Sequence, residues 1–402
     1  MRGEKDPKIG VILTSLVMAS SAAMMSTHLY TPSLPHLPDY FNTTPELAKL
    51  TLSFNALAFG FSQLIYGPLS DRFGRRPVML WGMAGFVLFS FSCALAQTID
   101  QLIVARIFQG MSGAAEAVLV YAIIHDLFNK TDRVRALAIY GMVIALTPAT
   151  APIIGGYMHV WLGWRANFVL IAVMGLLALL LILRLLPESS VPDKNGMRPK
   201  LIFREYRQLL TNREFMNYAI MTGSGSGTIM AFITAGPFIL ILHLNVRTEH
   251  YGLFMLMPVS SYIMSNIITR QIACKINFEN LLRLGLLIAT IGSFGVIGLI
   301  FTDLQKPLSL VLTFSLTTFG LGPVFAIAPM RALDAADSST GVASAMANTI
   351  PMVMGGLASV NLSVFHDGTS RPLAITVLGL LLTAGFAYWV ASRRAVRTMN
   401  AV

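Results

Sequence analysis

Twelve stretches of this chain stay mainly apolar for about twenty residues, the length a helix needs to cross the hydrocarbon core of a bilayer. In the first half they fall at residues 8–30, 47–69, 77–96, 101–125, 135–158 and 165–186. In the second half they fall at 213–242, 250–271, 281–301, 308–331, 341–364 and 371–391. A backbone surrounded by lipid must satisfy its own hydrogen bonds, so each run is expected to be a helix. The predicted fold class is an all-α membrane protein with twelve transmembrane helices. Composition enters as a check: 12% of the residues are charged, against about 25% in soluble domains. The longest polar stretch, 187–212, holds Pro192, Asp193, Lys194, Asn195 and Gly196. It reads as a cytoplasmic linker between a six-helix bundle at 1–186 and a second at 213–402.

Lys and Arg set the orientation, because short inward loops carry their excess. With the N-terminus inside, 23 of the 29 lie in inner segments, among them Arg2, Lys5 and Lys8. The outer segments hold Lys49, Arg165, Arg247, Lys306 and Arg371, and Arg106 lies within a helix. Both termini are thereby predicted to be cytoplasmic. Basic residues scattered this way serve topology, so the net charge of +10 does not imply a nucleic-acid partner. The first run is long for a signal peptide and lacks a small-residue cleavage site, so it reads as a retained helix. Cys93 and Cys274 are too few for a disulfide framework or a cysteine zinc site. No nucleophile–base pair, metal-ligand spacing or nucleotide loop is evident, so no enzyme, metal or cofactor is expected.

Three segments carry a more specific signal. After the second run comes Gly67-Pro68-Leu69-Ser70-Asp71-Arg72-Phe73-Gly74-Arg75-Arg76-Pro77. It is a tight turn, with Gly74 supplying conformational freedom, three arginines suited to an anionic leaflet and one acid among them, Asp71. Within the fourth run stands Arg106-Ile107-Phe108-Gln109-Gly110, and in the fifth Pro148 precedes Ala151-Pro152-Ile153-Ile154-Gly155-Gly156. Gly and Pro there let helices pack closely and bend.

The turn resembles the signature loop of the major facilitator superfamily nearly residue for residue. That resemblance implies two pseudo-symmetric bundles and a loop that locks them on the cytoplasmic side during alternating access. By it, Gly67, Asp71, Arg72, Gly74, Arg75 and Arg76 form the conformational lock. The second segment is similar to the family's RxxQG motif, and the third to the motif associated with antiporters, through Pro148, Pro152, Gly155 and Gly156. The antiporter copy departs from the family pattern, with Ala151 and Thr147 where glycines are usual. Leu29-Tyr30-Thr31-Pro32-Ser33-Leu34-Pro35, Gly236-Pro237-Phe238-Ile239-Leu240 and His366-Asp367-Gly368 resemble the bicyclomycin-resistance branch of drug/proton antiporters.

Charges in membrane helices are expensive and mark function by default. Glu116 is the one acid deep inside a predicted helix, and at about 1.5 Å per residue it lies about 15 Å along that helix from Arg106. Gln109, Gly113 and Glu116 share a face by spacing. Since fourth helices line the central cavity in the family, that face is expected to be wet and Glu116 to be the proton carrier. The alternative, that Glu116 only bonds a neighbouring helix, stays open. His28 stands where the branch usually has an acid. Beside Arg106 it should be neutral and accept a hydrogen bond; alternatively it is an interfacial histidine in water. Asn55, Gln63, Asn266, Asn348 and Asn361 read as interhelical glue.

The resemblance implies a monomeric, proton-coupled exporter of small drug-like or amphipathic molecules in the bacterial inner membrane. Its partners would be the substrate, protons and membrane lipid. Export of an endogenous metabolite such as a siderophore is the alternative within transport. A non-transporting membrane sensor or scaffold is the alternative outside it.

Overall fold

The computed structural model describes residues 7–190, 199–302, 304–336, 340–365 and 367–399. Arg2, Lys5, the linker residues Pro192 to Gly196, and His366 lie outside the described residues. The first half contains α1 (Pro7–His28), a 3-10 turn (Thr31–His36), α2 (Leu37–Phe41), α3 (Pro45–Phe73), α4 (Arg75–Leu95), α5 (Ile99–Leu127), α6 (Lys130–Leu162) and α7 (Trp164–Leu185). Next come α8 (Pro199–Thr211) and α9 (Arg213–Pro237), which runs on through a π-helical turn (Phe238–His243). A 3-10 turn (Thr248–His250), α10 (Tyr251–Ile272), α11 (Phe278–Phe301), α12 (Pro307–Asp334), α13 (Thr340–Val364) and α14 (Arg371–Met399) complete the chain.

Local chemistry starts these helices where they start. Pro45 and Pro307 open α3 and α12, where a missing N–H costs nothing. The side chains of Thr98, Asn129, Asn212 and Asn277 accept from free backbone N–H groups at the starts of α5, α6, α9 and α11. Among the described residues, eleven helices are long and apolar enough to cross a membrane. The long helix outside that set is α3, at 29 residues. Its buried positions include Thr51, Ser53, Asn55, Ser62 and Gln63, which dilute its hydropathy, and the first three bond neighbouring segments. The sequence reading gave only a linker at 187–212, whereas its second part folds as α8.

Two hydrophobic cores form. One is built from residues between Ile12 and Leu186 together with Phe238, the other from residues between Leu209 and Ala391. Outward-facing positions are apolar as well: α7 exposes Leu176, Leu177, Leu180 and Leu183. Such a surface suits lipid. Along the seam between the halves, α3 packs on α13 and α6 on α10. Small residues allow this approach. A Cβ on Gly60 would stand 3.0 Å from the Met352 Cβ, and one on Gly252 2.6 Å from the Pro152 carbonyl carbon.

Candidate functional site

The arginine of α5 sits at the centre of the first half. Arg106 is completely buried, and its guanidinium is held by backbone oxygens from two other helices. Nη1 donates to the Ser26 carbonyl at 3.0 Å and Nε to the Thr51 carbonyl at 3.4 Å. Nη1 also donates to Gln109 Oε1, and Gln109 Nε2 in turn donates to Ser90 Oγ at 2.7 Å. The guanidinium lies 4.6 Å from the Tyr30 ring centre and 5.8 Å from that of Phe168. Nη2 has no hydrogen-bond acceptor among the described residues, so these π faces complete the neutralisation. Asn55 Nδ2 donates to the Arg106 carbonyl at 2.8 Å, and Gly110 leaves room for the Asn55 amide. A single cation thus ties α1, α3, α4, α5 and α7 together.

The histidine expected beside it takes no part. His28 is half-buried, and Arg106 makes no hydrogen bond to it. The reason is geometric: the carbonyls of Ser26 and Thr51 and the Tyr30 ring occupy the guanidinium's surroundings. Sequence reading also missed Tyr30 and Phe168 as π partners. A buried arginine with no acid in reach was the available signal that aromatic faces must be near.

Glu116 is 5% exposed and accepts from Ser20 Oγ of α1. The rings of Tyr121 on the same helix and Tyr140 of α6 meet edge to face at 5.1 Å. The face shared with Gln109 and Gly113 departs from expectation. A Cβ on Gly113 would meet Phe86 of α4 at 3.3 Å and Ala23 of α1 at 3.8 Å. That face is packed inside the first half instead of lining an open cavity, because Gly113 and Ala23 let α1 come close. Lys49, counted above among the outer-segment charges, lies near the N-terminal end of α3. It is 2% exposed, with Nζ 4.7 Å from the ring centre of Phe238.

The turn between α3 and α4 closes on acids from elsewhere in the chain. Gly74 has φ +95°, which favours glycine, and a Cβ there would stand 2.9 Å from the Glu188 carboxyl carbon. Arg75 Nε meets Asp126 Oδ2 at 2.7 Å, and Arg75 N donates to Glu188 Oε1 at 2.9 Å. Arg76 Nη2 donates to the Leu183 carbonyl at 2.8 Å. Asp71, the acid singled out from sequence, is 62% exposed and 3.8 Å from Arg75. Arg72 lies against the Phe73 ring. Asp126 and Glu188 are distant in sequence, so the local motif did not reveal them.

In α6, the helix continues through Pro148 and Pro152. Gly155 lets the Leu29 carbonyl approach, and a Cβ on Gly156 would stand 2.7 Å from the Thr248 carbonyl oxygen. More contacts between the halves gather at this end, opposite Gly74. His36 Nε2 pairs with Thr248 Oγ1 at 3.0 Å, and Ser53 Oγ with Ser359 Oγ at 2.6 Å.

Long apolar helices in two cores, buried charges in one of them and a glycine-lined seam between them are the build of a multi-pass membrane transporter. The Major Facilitator Superfamily profile matches residues 16–359, and the chain belongs to that family. It is a secondary transporter of small molecules and not an enzyme. Over 391 residues it is 26% identical to a bicyclomycin resistance protein homolog of Haemophilus influenzae, covering 96% of this chain and 98% of the relative. Over 339 residues it is 28% identical to the multidrug transporter MdfA of Yersinia pestis, covering 84% and 83%. The fold is similar to that of a peptide transporter POT solved with sulfate, with a TM-score of 0.74, 15% identity and coverage of 95% and 94%. It is also similar to the partially occluded, inward-open xylose transporter XylE from E. coli, with a TM-score of 0.71, 16% identity and coverage of 94% and 97%.

Proposed function

We propose that this chain exports small drug-like or amphipathic molecules across the bacterial inner membrane in exchange for protons, by alternating access. The observation that carries the coupling is Glu116, the one acidic side chain buried in a helix among the described residues. A carboxylate that can be neutral or charged at that depth binds a proton in one state and favours a cation in the other. The Ser20 hydroxyl donates to that carboxylate from α1. Relatives named for bicyclomycin and multidrug resistance support the choice of cargo.

With α3 counted, the reading has twelve spans, both termini inside and two six-helix bundles at 1–186 and 213–402. The end where His36 meets Thr248 is then the outer face, closed in this state. The Arg75 cluster lies at the inner face, where Asp126 of the first bundle and Glu188 just after it hold the turn. Proton release from purified protein on adding substrate tests the reading. The parent should release protons and the Glu116→Gln variant should not. Equal release from both would remove Glu116 as the carrier.

A further inference from the structure

Helix α8 is fastened to both halves. Leu209 is buried in the second core, while the Tyr206 hydroxyl donates at 3.1 Å to the Leu64 carbonyl of α3. That carbonyl lacks its usual helical partner, because position i+4 is Pro68, which has no N–H. In an apolar setting such an oxygen needs a donor, and Tyr206 provides one. These two contacts fix how α8 is rotated. Phe203, Arg207 and Leu210, spaced i, i+4, i+7, then form one stripe turned away from the protein. Phe203 is 71% and Leu210 53% exposed, and Arg204 and Arg207 are exposed beside them. Glu205 falls on the other side of the helix by spacing. The stripe also has a defined depth, because α8 ends two residues before Arg213, where the α9 span begins.

We propose that α8 is a strap on the membrane surface that binds anionic lipid. Phe203 and Leu210 enter the boundary between headgroups and acyl chains, and Arg204 and Arg207 hold the anionic headgroups. Apolar and cationic groups side by side at that depth complement this surface. Because the other side of α8 is clamped to Leu64 and to the second core, headgroup charge would bear directly on the seam. The inference rests on the membrane-spanning fold and not on proton coupling.

The test uses the full chain with Cys274→Ser and a spin label on Leu210→Cys, in nanodiscs of phosphatidylcholine alone or mixed with phosphatidylglycerol. With phosphatidylglycerol, collisions with a water-soluble nickel chelate should fall and collisions with oxygen should rise. Arg204→Glu with Arg207→Glu should cancel the difference, each arginine contributing about five-fold in lipid affinity. Native mass spectrometry of unlabelled protein should show the parent retaining phosphatidylglycerol over phosphatidylcholine and the double variant losing that preference. A label equally wet in both bilayers overturns the proposal. So does a label equally immersed in both, since apolar contact alone would then hold the strap. Neither readout involves transport, so a failure here leaves the exporter reading standing.

Discussion

In the first half, Lys49, Arg106 and Glu116 are buried together with the amides Asn55, Gln63, Gln109 and Asn167. In the second half, apart from the phenols of Tyr218 and Tyr251, every buried polar side chain among the described residues is a serine or threonine hydroxyl. The difference separates two ways of living in lipid. A hydroxyl can satisfy itself on its own helix, as Thr222 does on Tyr218, Thr228 on Ser224 and Ser363 on Ser359. It then asks nothing of its neighbours. A buried arginine has five donors and must recruit acceptors from several helices. The first half is therefore cross-linked by charge around α5, whereas the second is held by shape and by single hydroxyl bonds between α10 and α12. In the proposed mechanism, chemistry that depends on charge falls to the first half, and movement of the second against it would break no ion pair in the second core.

The sharpest way to break this comparison is at Glu116. Glu116→Gln keeps the size and the bond to Ser20, so the fold should survive, while gradient-driven export should be lost. Substrate accumulation before and after collapse of the proton gradient measures it. Full export by this variant would mean that the first half does not hold the coupling charge. Next in size is Arg106→Lys. Lysine keeps the charge but cannot reach the Ser26 and Thr51 carbonyls and Gln109 in one plane. The lost charge-assisted bonds should cost about 1.5–3 kcal/mol each at most. A thermal melt of the detergent-solubilised variant should fall and transport should drop with it. A fully stable, active lysine variant would show that the network is not what holds the first half.

Much of this layout was legible in the sequence, for reasons that particular residues make plain. The helix spans were readable because apolar runs end at Pro, Gly and Arg, as at Phe73-Gly74-Arg75 and Leu162-Gly163-Trp164. Arg106, Gln109 and Glu116 could be singled out because polar groups in such runs are rare. Their partners could not. Ser26, Tyr30 and Phe168 meet Arg106 only once α1 and α7 are packed, and no spacing rule encodes that. Lys49 counts from sequence as an outer charge at the start of the 47–69 run, a place where a lysine normally stays wet, yet the structure buries it. Phe238 crosses from the second half to cover it. Of the amides read as glue, Asn55 bonds α5 and Asn361 accepts from Thr376 of α14, but Asn348 is exposed.

A smaller effect sharpens the comparison at the turn between α3 and α4. In this state Arg75 leans on Asp126 at 2.7 Å and only distantly on Asp71. Asp126→Asn should therefore loosen the turn more than Asp71→Asn, with each change worth about 1 kcal/mol or less because the groups are partly exposed. Labelling of a cysteine placed at Ser189, whose hydroxyl approaches Asp126, reports the loosening. If Asp71→Asn raises labelling as much as Asp126→Asn, the motif acid holds the turn in this state after all.

The smallest effect is expected in the second half, where Ser265 does for α12 what Tyr206 does for α3. The Phe319 carbonyl faces Pro323 at i+4 and so lacks a helical donor. Ser265 Oγ of α10 donates to it at 2.5 Å, and Gly322 leaves the serine room to lie against α12. Ser265→Ala removes the donor without adding bulk or charge. Hydrogen bonds between membrane helices average about 0.6 kcal/mol, since a freed group finds other partners. The variant should melt slightly earlier and keep transport within about three-fold, a factor that corresponds to this energy. The same substitution tests the division between the halves, because it leaves every buried charge in place. If Ser265→Ala stops export as completely as Glu116→Gln, a hydroxyl of the second half takes part in the coupling chemistry. The charges of α5 would then be only part of the path.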